Sequence, residues 1–165
     1  MAKLEYAFLT FTSFPSSVKL INEEARRRGW WVIFKDLPVI PESKVIVEIK
    51  GKAENVQIGS YLTIYGSADG VTYRYLDFIV PRSTLLGTSP WATYTEEYKT
   101  TIPTDVNFLR GQLVAGQGVT WFDDLKIYQD GVPIYENKFS NWGQFINIPA
   151  PILAGLGVVR LGKKG

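Results

Sequence analysis

Residues 117–139, Gln-Gly-Val-Thr-Trp-Phe-Asp-Asp-Leu-Lys-Ile-Tyr-Gln-Asp-Gly-Val-Pro-Ile-Tyr-Glu-Asn-Lys-Phe, read as a core strand with two adjacent carboxylates that turns at Asp130-Gly131 into a second strand. Branched and aromatic residues suit a pleated, half-buried surface, and Asp-Gly supplies the positive φ angles of a tight hairpin. Trp121, flanked at even offsets by Val119 and Leu125, reads as the core residue of this strand.

The same grammar repeats outward from this stretch. Leu4 to Thr12, Trp30 to Phe34, Lys44 to Lys50, Tyr61 to Tyr65, Val71 to Val80, Trp91 to Thr101, Val106 to Ala115, Val119 to Tyr128 and Val132 to Glu136 carry strand signals with turn residues between them. Phe145 to Ile148 and Leu156 to Leu161 are candidate terminal strands. Residues 16–28 have two readings: Ser17 caps a short helix carrying Val18, Ile21 and Ala25, or Val18 to Ile21 forms an edge strand. About ten short strands at near-regular spacing describe an all-β, antiparallel sandwich or barrel. The division expected is a sandwich over residues 1–148 and a C-terminal strand or extension over 149–165, after the stiff run Asn147-Ile148-Pro149-Ala150-Pro151. That apolar tail forms a last strand of its own sandwich or adds to the sheet edge of a neighbouring copy.

Composition removes whole classes of chemistry. The 165 residues suit one domain with a self-sufficient core. With no cysteine and no histidine there is no disulfide scaffold, no thiolate nucleophile, no Ser-His-Asp relay and no His-ligated metal. A net charge of +2, from 18 basic and 16 acidic residues, is too balanced for a protein that neutralises many phosphates, so no nucleic-acid partner is expected. The apolar runs fall short of the roughly 20 residues a membrane helix needs, and Tyr6 to Phe11 lacks a cleavage signature. Neither membrane insertion nor a cleavable signal peptide is expected.

The order of motifs resembles the jelly-roll carbohydrate-binding modules of the galactose-binding-like superfamily. The resemblance rests on Asp36-Leu37-Pro38-Val39-Ile40-Pro41-Glu42-Ser43-Lys44-Val45-Ile46-Val47, on Trp91-Ala92-Thr93-Tyr94 with Thr101-Ile102-Pro103, on Val106 to Gln112, and on Gly118-Val119-Thr120-Trp121-Phe122-Asp123-Asp124-Leu125. It spans residues 30–130 and implies an antiparallel jelly-roll β-sandwich. It also implies a structural calcium held in part by Asp123 or Asp124, through oxygen ligands from a distant loop. The plainer reading has one Asp accepting backbone hydrogen bonds and the other in solvent, since alternation sends them to opposite faces unless a bulge intervenes.

Tyr61, Tyr65, Tyr73 and Tyr75 fall on a hairpin about Ala68-Asp69-Gly70, where a row of aromatic faces would receive a sugar ring, with Trp91 as a further candidate. A two-residue loop would split the four tyrosines between faces; a three-residue bulged loop would align them. The plainer reading is sheet and rim packing, which also covers Trp30, Trp31 and Trp91. Glu96 and Glu97, with Asp77 or Glu48, are candidates for the two carboxylates of a glycosidase, and no local signature supports that chemistry. Arg26-Arg27-Arg28 reads as a solvated end or an anion contact.

The first expectation is therefore a non-catalytic jelly-roll structural protein of a virion or filament-like surface assembly, partnered by copies of itself or other coat subunits. The alternative is a carbohydrate-binding module or glycan attachment protein, and a glycoside hydrolase ranks third.

Overall fold

A computed structural model of the chain describes residues 2–7, 17–139 and 158–160. The described elements are all strands: β1 (Ala2–Ala7), β2 (Ser17–Asn22), β3 (Gly29–Pro38), β4 (Val45–Ser67), β5 (Tyr73–Glu97), β6 (Phe108–Ala115), β7 (Gln117–Gln129), β8 (Val132–Asn137) and β9 (Val158–Arg160). Nine strands stand where about ten were expected, every pairing antiparallel.

The long strands β4 and β5 build both layers of the sandwich. Val45 to Glu54 of β4 lies between Ser89 to Glu97 of β5 and β7, with β2, β1 and β9 following outward. Ser60 to Ser67 of β4 lies instead between Tyr73 to Leu85 of β5 and β6, followed by β3. The corner between the two halves is made by left-handed residues, Asn55, Ile58 and Gly59 on β4 and Thr84 and Gly87 on β5. Ile58 is β-branched, and its φ of 60° is a costly conformation for such a side chain. Gly59 is dictated by space as well, because a Cβ there would come within 2.9 Å of Thr84 Cβ.

Alternation explains the core. Val45, Val47 and Ile49 on β4, with Val18 and Leu20 on β2, line the inner face of the first layer. Leu62 and Ile64 on β4, Leu109 and Leu113 on β6, and Phe78 and Val80 on β5 line that of the second. Each fully buried aliphatic or phenyl side chain contributes about 1.5–3 kcal/mol.

Residues 17–22 correct the helix reading. Val18, Leu20 and Asn22 are buried at period two, and β2 runs between β1 and β7, so the segment is neither a helix nor an edge strand. The tail contributes β9, which pairs with β1 of the same chain; residues 145–148 and most of 149–165 lie outside the described residues.

The strand that opened the sequence reading holds a bulge. Glu48 faces Lys126 but Lys50 faces Asp123, so one extra residue sits on β7, and Asp124 takes a φ of 47°. The bulge reverses the alternation along β7. Thr120 and Phe122 point inward before it, Leu125 and Ile127 after it, and all four are fully buried. Trp121 therefore stands outside the main apolar cluster that Phe122 joins; it is buried beneath Lys19 and Lys52, whose ammonium groups lie 5.8 and 4.8 Å from its ring centroid.

Candidate functional site

The outward face of the second layer forms a groove of about 700 Å³. Its floor follows the register of β4 on β6, which sets Tyr61 against Val114, Thr63 against Gln112 and Tyr65 against Arg110. Trp30 extends the first of these rows onto β3, where it faces Val114, and Tyr75 extends the last onto β5, where it faces Tyr65. Arg28 closes the end beside Tyr61, its guanidinium 5.6 Å from that ring and donating to the carbonyls of Ile58 and Gly59 at the corner. At about 3.3 Å per residue, Tyr61 and Tyr65 are about 13 Å apart along the strand.

The hairpin settles which tyrosines share this face. Ser67 pairs with Tyr73, so the loop runs from Ala68 to Thr72, longer than a tight Asp-Gly turn. Asp69 organises it, its Oδ1 accepting from the amides of Val71 and Thr72 and from Ser67 Oγ. The odd-length loop keeps the parity of a three-residue one. Tyr65 and Tyr75 stand directly opposite, ring centroids 5.8 Å apart. Arg110 lies between the rings of Tyr65 and Tyr73, 4.7 and 4.8 Å from their centroids. All four tyrosines thus occupy one face, Tyr73 joining the groove through Arg110.

Burial raises the Tyr75 phenol above its ordinary range, helped by the neighbouring Asp77 carboxylate. Tyr73 is pushed up to about 12, first by burial and then by its hydrogen bond to Asp36 Oδ1 at 2.5 Å. Both phenols are neutral at ordinary pH. Two polar atoms in the groove wall are buried without a hydrogen-bond partner among the described residues, Thr63 Oγ1 and Arg110 Nε. Such atoms are costly to leave unmet and suit a hydroxylated or anionic ligand.

The other residues singled out from sequence lie elsewhere. Trp91 is half-buried on the part of β5 that pairs with the first layer, next to the Ala92–Gly51 pair, and does not line the groove. Glu96 accepts from the Arg82 amide, Glu97 pairs with Lys44 at 3.5 Å, and Asp77 pairs with Arg82 and Lys99. Glu48 also lies in the first layer, opposite Thr95. No carboxylate is among the residues that line the groove.

Asp123 is fully buried and its Oδ1 accepts the Asp124 amide, while Asp124 Oδ2 sits 2.7 Å from Lys50 Nζ. That contact, above all the hydrogen bond, raises the Lys50 pKa. Calcium takes six to eight oxygens. Among the described residues Asp124 is engaged by the Lys50 ammonium and no group of three acidic side chains gathers, so a calcium ion here would draw most of its oxygens from other groups.

Sequence reasoning missed Thr63, Arg110 and Gln112, placed Trp30 with the core or rim anchors, and saw Arg28 only as part of an arginine run. The available signal was period two: Arg110 and Gln112 interrupt the otherwise apolar Phe108 to Ala115, and Thr63 alternates with Tyr61 and Tyr65.

No known protein-family profile matches the chain, and no curated protein matches it. Solved structures do. The Clostridium thermocellum endo-1,4-beta-D-xylanase 10B structure, with family 22 carbohydrate-binding and GH10 modules and bound xylohexaose, superposes with a TM-score of 0.56 at 13% identity, over 82% of this chain. The enzymatically active domain of bacteriophage CBA120 tailspike protein 4 gives 0.56 at 9% identity over 78% of this chain. A family 16 carbohydrate-binding module gives 0.55 at 10% identity, covering 76% of this chain and 84% of that one. The chain spans 26% of the xylanase structure and 18% of the tailspike domain. The fold is thus the jelly-roll β-sandwich of carbohydrate-binding modules.

Proposed function

We propose that the chain is a non-catalytic carbohydrate-binding module that holds a polysaccharide in the groove of the second layer. The supporting observation is the single outward face on which Trp30, Tyr61, Tyr65 and Tyr75 surround Thr63 and Gln112. The rings offer flat apolar faces to pyranose C–H groups, and the polar side chains between them meet hydroxyls. Trp91 takes no part. The assembly role expected first draws no support from the structural likenesses, and the part of the tail that is described pairs with this chain's own β1.

Titration calorimetry against a panel of soluble polysaccharides tests the reading. Tyr65→Ala weakens binding about tenfold, which is about 1.4 kcal/mol, while Trp91→Ala leaves it unchanged. Binding to no polysaccharide, or equal losses from both substitutions, overturns it.

A further inference from the structure

We infer that the groove selects an acidic polysaccharide, with one uronate carboxylate seated against Arg110 at the Tyr65 end and another, farther along the sugar chain, facing Arg28 at the Tyr61 end. This inference rests on the carbohydrate-binding reading and adds the class of sugar.

The groove carries two guanidinium groups and no carboxylate among its lining residues. Neither Arg28 nor Arg110 has an acidic partner within ion-pair distance among the described residues. Arg28 is held in place by main-chain carbonyls and Arg110 by the two tyrosine rings, contacts that orient each cation without neutralising it. Carboxylates do stand nearby, but they are engaged: Asp77 with Arg82 and Lys99, and Asp36 Oδ1 as acceptor of the Tyr73 hydroxyl.

Arg110 Nε is the second indication. It is buried with no hydrogen-bond partner among the described residues, and Thr63 Oγ1, of the same groove lining, is equally unmet. Stacking uses the two faces of a guanidinium, so the donors left for a carboxylate are the in-plane N–H groups at its terminal end. A neutral sugar would satisfy Thr63 and stack on the tyrosines but leave the charge of Arg110 unanswered. An acidic one answers both.

The test compares three acidic polymers, polygalacturonate, alginate and hyaluronan, each with its carboxyl-reduced derivative, alongside neutral xylan and glucan. At least one acidic polymer binds, its reduced derivative binds at least tenfold more weakly, and added salt weakens the acidic complex only. Arg110→Gln narrows the gap between the acidic polymer and its reduced derivative, losing several-fold more affinity for the acidic form than for the reduced one. Arg28→Gln, at the rim, lowers the preference in the same direction and guards against a folding defect in the first variant. A reduced derivative that binds as well as its parent, or a neutral polymer bound in place of any acidic one, overturns the acidic selection and leaves the carbohydrate reading intact. Binding to none of the polymers overturns both.

Discussion

The corner that carries β4 from one layer to the other depends on a buried hydroxyl pair. Ser60 Oγ accepts the Gly116 amide at 3.0 Å and lies 2.7 Å from Thr120 Oγ1, with Ser60 and Thr120 both fully buried. Ser60→Ala strands two groups at once, the Gly116 N–H and the Thr120 hydroxyl. At about 1–2 kcal/mol for each orphaned group, the loss is about 2–4 kcal/mol. Thr120→Val keeps the shape and the Ser60–Gly116 bond, and costs about 1–2 kcal/mol. In the double variant only the Gly116 amide is stranded, so its loss of about 1–2 kcal/mol falls short of the sum of the singles by about 2–4 kcal/mol. Urea unfolding followed by circular dichroism reads all three as shifts in midpoint at constant slope. Additivity within about 0.5 kcal/mol would refute the shared network.

Two further outcomes follow from the second layer. Gly111 packs beneath Phe34, and a Cβ there would lie 2.7 Å from the ring's Cζ and closer still to Cε1, while the ring is backed by Tyr135 at 4.7 Å. Gly111→Ala therefore lowers stability by about 1–3 kcal/mol; an unchanged urea midpoint contradicts this. The Tyr73 phenol, at about 12 in the folded chain against about 10 unfolded, holds its proton more tightly when folded, so its contribution to stability is lost as pH rises through that interval. An absorbance titration of the native protein minus that of Tyr73→Phe shows a tyrosinate step near 12, and a step near 10 removes the Asp36 contact from the account.

The layered, antiparallel character was legible because it is local: Val45, Val47 and Ile49 alternate, and Asp130-Gly131 marks a turn without any knowledge of partners. The bulge at Asp123 and Asp124 was not, since a bulge is a mismatch in count between two strands and depends on where Lys50 falls. Trp121 was read as core from its even offset to Leu125, and the bulge between them breaks that parity, leaving Trp121 buried but outside the main cluster. Residues 17–22 are decided by β1 and β7 on either side, neighbours that a local helix propensity does not see. At the groove, the tyrosines of β4 and β5 were visible as a group because one hairpin joins them. Arg28, Trp30, Arg110 and Gln112 come from separate stretches and meet only through the register of β3, β6 and β4.

The shared strands β4 and β5 carry a mechanical consequence. Each is a single ribbon woven through both sides of the body, so neither side can peel open while the other stays shut. Unfolding is then expected to engage the described sandwich as one cooperative body rather than loosening the binding surface first. A sugar chain lodged on one exterior would consequently raise the melting temperature of the whole brick.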